Sequence, residues 1–199
     1  MLKNLVNRQQ LIFGVPYESP DRLPKDKFKR TLVDMPNLIK KNIFSENEID
    51  LLFQSLKKSE SREFANPNRA QEYVDMFELP KDVSLKVEAI AKEVTGENWL
   101  IADFALCTYT NKTGKPNLKM HRDENFKSQR ICFDYQLESN TSWDIIVGKE
   151  LYQIEDNSGI LFSSTDQYHG RPNKEFQDDE YIKLIFFHMS KDGIRDSKD

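Results

Sequence analysis

Cysteine, histidine and long apolar runs are all scarce in this chain, and each scarcity excludes something. Two cysteines, Cys107 and Cys132, are too few for the disulfide framework of a small secreted domain. Both lie in strand-like runs and read as reduced, buried thiols. No apolar stretch approaches the ~20 residues that a membrane-spanning helix requires. Met1 to Arg8 lack the apolar core and small-residue cleavage site of a secretory signal, so the expected compartment is the cytoplasm. No phosphate-cradling glycine loop, no Cys-x-x-Cys and no Gly-x-Ser-x-Gly occurs, which removes the common nucleotide, thiol-redox and serine-hydrolase chemistries. Positive charge is also short. The 29 basic residues are outnumbered by 33 acidic ones for a net charge of −4, so nucleic acid is a disfavoured partner.

What is present suits one well-buried domain. The chain has 199 residues, 38% hydrophobic and 31% charged, and thirteen Phe, seven Tyr and two Trp supply bulky core material. Residues 1–37 read as an irregular arm, because Pro16, Pro20 and Pro24 interrupt a charged stretch. Asn37–Phe44 reads as a short strand. Ser45-Glu46-Asn47-Glu48 has the form of a capping box, and Ile49, Leu52, Phe53 and Leu56 follow at helical spacing. The expected helix runs over about 46–58, followed by a polar loop from Ser59 to Ala70. A second helix is expected over about 81–95, opened by Pro80 and closed by Gly96, with Val83, Leu85, Val87, Ile90, Ala91 and Val94 as its apolar side.

Beyond Gly96 the pattern changes to strands, expected at Trp99–Thr110, Gln129–Leu137, Trp143–Val147, Leu151–Ile154, Gly159–Ser163 and Tyr181–His188. In the second of these, Ile131, Phe133, Tyr135 and Leu137 alternate with Arg130, Cys132, Asp134 and Gln136. Many short strands separated by turns imply an antiparallel sandwich or barrel. The domain is expected over 38–190, with 191–199 a charged tail.

His121-Arg122-Asp123 holds an imidazole and a carboxylate two residues apart, which puts both on one face of an extended chain. A third donor, His169, follows downstream in Tyr168-His169-Gly170. Two imidazoles and one carboxylate can occupy one face of a metal ion and leave the other positions open, as non-haem Fe(II) chemistry requires. The chain has only three histidines, and two fall in this pattern. Read from spacing alone, the same residues could equally be a solvated loop pair and a turn histidine.

The surrounding segments carry a family resemblance. Leu106-Cys107-Thr108-Tyr109-Thr110 precedes the His-x-Asp, the Arg130–Leu137 strand follows it, Gly159-Ile160-Leu161-Phe162 stands shortly before His169, and Tyr181–Phe187 closes the set. In this order the chain resembles the Fe(II)- and 2-oxoglutarate-dependent dioxygenases, in their prolyl-hydroxylase-like branch. The resemblance implies an α+β, mainly β fold, a double-stranded β-helix (jelly-roll) core with supporting N-terminal helices. It implies Fe(II) on His121, Asp123 and His169, with 2-oxoglutarate and O2 as co-substrates. The reaction implied is hydroxylation of a C–H bond in a peptide or small molecule, with release of succinate and CO2. The family anchors the remote carboxylate of 2-oxoglutarate with a basic residue, usually an Arg beginning the last core strand. This sequence departs there, since Glu180-Tyr181 stands in that place. Lys183, which shares a face with Tyr181 and Ile185, is the favoured anchor, with Arg171 and Arg130 as rivals. Tyr109 is read either as a hydrogen-bond partner of the same co-substrate or as a core tyrosine.

Arg122, Asn125 and Trp143 are the residues expected to touch substrate. Asp134 is read as support for a ligand or co-substrate group or as a solvent-facing residue, and His188 as a surface residue at a strand end in preference to a second metal role. The Arg-x-Asn-x-Thr-x-Arg stretch of nucleic-acid demethylases is missing, which argues against base repair. The rival functions are a non-catalytic jelly-roll module with a degenerate metal site, suggested by the altered start of the last strand, and a cupin-like metalloenzyme without co-substrate.

Overall fold

Two antiparallel sheets face each other, and two helices cover the outer face of the larger one. The computed structural model describes residues 33, 35–59, 72–75, 77–114, 116, 118–123 and 128–195. Most of the expected N-terminal arm, most of the Ser59–Ala70 loop, Asn125 and the last four residues of the tail lie outside the described residues.

The helices form as their local signals dictate. Helix α1 (Glu46–Lys58) is capped by Ser45, whose Oγ accepts from the Glu48 amide while Glu48 accepts from the Ser45 amide at 2.7 Å. Helix α2 (Lys81–Thr95) stops at Gly96, whose φ of 72° is the left-handed conformation glycine tolerates, and its amide donates to Lys92 at 2.8 Å. Val83, Val87 and Ala91 recur every fourth residue and are fully buried, whereas Leu85 is exposed on the other side. A Lys86–Glu48 ion pair at 2.6 Å joins the two helices.

The strands are β1 (Leu38–Lys41), β2 (Glu72–Asp75), β3 (Leu100–Thr110), β4 (Ile131–Ser139), β5 (Ile145–Val147), β6 (Glu150–Tyr152), β7 (Ser158–Phe162), β8 (His169–Gly170) and β9 (Tyr181–Ser190). The large sheet has the order β1-β7-β4-β9-β3-β2 and the small one β6-β5-β8. Two strands were not expected from sequence: β2, which pairs with β3, and the two-residue β8. The strand expected at Leu151–Ile154 begins one residue earlier and ends at Tyr152.

Side-chain parity divides the core. Phe133, Tyr135, Leu137, Ile185, Phe187 and Met189 pack with the helices through Leu52, Val83 and Val87. The opposite face of these strands and of β3 carries Cys132, Tyr109, Ile182 and Leu184 into the space between the sheets, where Ile145, Val147, Trp143 and Phe176 meet them. The mainly β, jelly-roll architecture expected from sequence is the one observed. No helix among the described residues is long and apolar enough to cross a membrane.

Candidate metal centre

His121 and His169 come together through a backbone bridge. The His121 amide donates to the His169 carbonyl at 2.9 Å, and the His169 amide returns the bond at 2.8 Å. The Arg171 amide continues the ladder to Leu118 at 2.8 Å. This close approach explains Gly170: a Cβ there would stand 2.6 Å from the Leu118 carbonyl oxygen. Asp123 is fixed by its own amide, which donates to Ser164 at 2.9 Å in the turn after β7. Asp166 holds that turn together, accepting from the Ser163 hydroxyl at 2.7 Å, Gln129 at 3.2 Å and the Val33 amide at 2.8 Å.

The imidazoles are aimed by their second nitrogens. His121 Nδ1 is 2.8 Å from the Lys119 carbonyl and His169 Nδ1 is 3.1 Å from the Gln167 carbonyl. A carbonyl only accepts, so each Nδ1 carries the proton and each Nε2 lone pair is left to face the centre. Both Nε2 atoms are 3.9 Å from Asp123 Oδ1. One ligand atom from each of the three residues lies within 4.8 Å of the others.

Electrostatics favour the ligating forms. Burial, with His121 and His188 adding to it and Asp123 opposing, lowers the His169 pKa to about 4, so the ring is neutral at pH 7. Burial alone would raise the Asp123 carboxyl, but His169, His188, Ser164 and His121 together bring it below its ordinary value. Burial and the carboxylates of Asp134 and Asp123 push the Cys132 thiol well up, with Arg171 opposing, so this neighbour stays a neutral thiol. Two neutral imidazoles and one carboxylate on one side of a shared centre form the donor set that suits Fe(II) with open positions opposite.

No protein-family model matches the sequence, and no curated protein matches it. Solved structures do match in shape. An oxidoreductase of the 2OG-Fe(II) oxygenase family from Burkholderia pseudomallei aligns with a TM-score of 0.61 at 9% identity, covering 81% of this chain and 88% of that one. HygX from Streptomyces hygroscopicus, with nickel, 2-oxoglutarate and hygromycin B bound, aligns at 0.59 and 10% identity over 78% and 83%. A Pseudomonas putida prolyl-4-hydroxylase aligns at 0.57 and 7% identity over 82% and 95%. The chain has the fold of the 2-oxoglutarate oxygenases.

Within that oxygenase fold, the expected anchor Lys183 faces the wrong way to reach the centre. It lies on the helix-covered side of β9, 2.8 Å from Glu138 and over the ring of Phe53 in α1. The physical reason is parity: Ile182 and Leu184, its chain neighbours, are the residues that enter the space between the sheets. Arg130 is fully buried, and its Nη2 donates to the Ile194 carbonyl at 2.7 Å. Arg171 is 1% exposed and lies two residues beyond His169, on the same side of the chain. Its guanidinium donates to Asp134 at 2.8 Å and to the Trp143 carbonyl, and it lies over the Trp143 ring. Tyr109 is fully buried, edge-on to Trp143 at 4.9 Å. Trp143 is thus an interior wall, its Nε1 donating to Pro172 at 2.6 Å. Arg122 is stacked over Tyr168 at 4.8 Å, beside the half-buried His121.

The sequence reading preferred a surface position for His188, and the structure places it at the site instead. Its Nε2 is 3.6 Å from Asp123 Oδ2, so all three histidines of the chain converge on one carboxylate. The available signal was strand parity, since His188 alternates in step with Ile182, Leu184 and Phe186.

Proposed function

We propose that this protein is an Fe(II)- and 2-oxoglutarate-dependent oxygenase that hydroxylates a C–H bond of a small-molecule or peptide substrate. The observation that carries the reading is the convergence of His121 Nε2, Asp123 Oδ1 and His169 Nε2, both imidazoles being pre-oriented by carbonyls. Bound at this site, ferrous iron with 2-oxoglutarate and O2 would supply the oxidising power, with succinate and CO2 as the by-products.

The chain's own residues bind, orient and exclude water. His121, Asp123 and His169 would hold the metal, and a three-donor set of this kind suits an ion that must also take exchangeable ligands. Arg171, rather than Lys183, serves as the anchor for the remote carboxylate, because its Nε–H is buried without an acceptor among the described residues. Tyr109, Trp143 and Phe176 form a buried apolar cluster that keeps the surroundings of Arg171 dry. The substrate approaches past His121, where Arg122 and Tyr168 form the rim.

Anaerobic titration with Fe(II) and 2-oxoglutarate tests the reading. A visible charge-transfer band is expected in the wild type and not in His169→Ala; its absence from the wild type refutes the proposal. Iron uptake without succinate formation, across candidate substrates, would point instead to the non-catalytic binding module.

A further inference from the structure

A carboxylate is buried beside Arg171. Asp134 stands on the inward face of β4, in register between Phe186 of β9 and Ile160 of β7. Both Asp134 and Arg171 are 1% exposed, and they meet at 2.8 Å. The pair is only half made. Arg171 Nε and Asp134 Oδ1 are both buried and have no hydrogen-bond partner among the described residues.

Asp134 is not alone in aiming the guanidinium. The Trp143 carbonyl accepts from its Nη1, and its carbon lies 5.4 Å over the Trp143 ring. What Asp134 contributes is a charge that cancels the cation before any ligand arrives. An ionised carboxylate only accepts hydrogen bonds, as does the carboxylate of an incoming ligand. Two such groups on one guanidinium, away from water, repel each other.

We propose that Asp134 is a specificity-determining residue that limits how tightly Arg171 holds the remote carboxylate of a 2-oxo dicarboxylic acid. A neutral side chain of the same shape strengthens that hold, since an Asn amide can donate to the carboxylate that Asp134 repels. The inference rests on Arg171 being the anchor proposed above.

The test compares 2-oxoglutarate with 2-oxopentanoate, which carries a methyl group where 2-oxoglutarate carries its remote carboxylate. Both are titrated calorimetrically into the full-length protein loaded with Ni(II). The affinity ratio of the two acids isolates the contribution of the tail's charge. It is expected to rise about tenfold or more in Asp134→Asn, and to rise also in Asp134→Ser, which removes the charge with a smaller side chain. In Arg171→Gln the ratio is expected to collapse to near one. A ratio unchanged or lowered in both Asp134 variants overturns the inference and leaves the anchor standing. A ratio retained in Arg171→Gln overturns the anchor, and the inference with it.

Discussion

His188 Nε2 stands 3.6 Å from Asp123 Oδ2, while Asp123 Oδ1 is 3.9 Å from the imidazoles of both His121 and His169. The two oxygens of one carboxylate therefore face different partners. His188 is not among the three residues whose ligand atoms lie within 4.8 Å of one another, and it meets the carboxylate through the other oxygen. A contact of 3.6 Å is long for a hydrogen bond, but such contacts tighten once a site is loaded. Restraining Oδ2 would leave Oδ1 as the oxygen offered to a metal. His188→Ala is expected to weaken Ni(II) or Mn(II) binding about 10- to 100-fold, as losses behind a metal ligand generally do. His188→Gln, which can still donate, recovers part of it. Calorimetric metal titration reads both, and equal affinity in wild type and His188→Ala would refute the role.

Lys183 makes the contrasting prediction. Its ammonium is paired with Glu138 at a site where both side chains are about one-third exposed, so the pair contributes under about 1 kcal/mol to stability. Lys183→Ala is expected to leave 2-oxoglutarate affinity unchanged and to shift the urea midpoint only slightly. A large loss of 2-oxoglutarate binding in that variant would return the anchor to the last strand.

The comparison of Lys183 with Arg171 shows where sequence reasoning stops. Alternation gave the two faces of β4 and β9, the capping box gave α1, and the order of segments around His121 and His169 gave the fold. Alternation alone does not say which face meets the helices and which meets the second sheet. Lys183 shares its face with Ile185, and that face turned out to lie under α1. Arg171 was harder to place because β8 is two residues long, too short to show a period, and is defined by its neighbours, β5 on one side and residues 118–121 on the other. His188 was read as a strand end although the strand continues to Ser190. The β2 strand carries no strong alternation of its own and forms as the edge partner of β3.

Gly170 offers a test of the local construction. The chain passes so close to residues 118–120 that a methyl group would overlap the Leu118 carbonyl oxygen at 2.6 Å and press on Lys119 and Met120 at 3.0 Å. These atoms are backbone and cannot rotate away. Gly170→Ala must push apart the ladder that brings His121 to His169, with Arg171 alongside. The expected cost is about 1–3 kcal/mol in stability, with metal binding weakened in the same variant. Denaturant unfolding and Ni(II) titration check the two effects, and a variant that matches wild type in both would show that the close approach is not required.

The helix layer has its own pH signature through Glu48. The Lys86 ammonium, with the Ser45 amide and hydroxyl, holds the Glu48 carboxyl down from its ordinary 4.5 to about 2. A carboxyl whose pKa is lower in the folded chain than in the unfolded one binds fewer protons when folded. Its stabilising contribution is therefore complete above pH 4.5 and is lost as the pH falls through about 2. Glu48→Gln keeps the size of the side chain and removes the charge, so it breaks the ion pair to α2 and weakens the capping box at once. The expected loss is about 1 kcal/mol at pH 7, shrinking as the pH is lowered towards 2 because the wild type then loses the same interaction. Urea midpoints for wild type and variant across pH 2.5 to 7 measure it. Curves that stay parallel down to the acid end would show that Glu48 is not the group responsible.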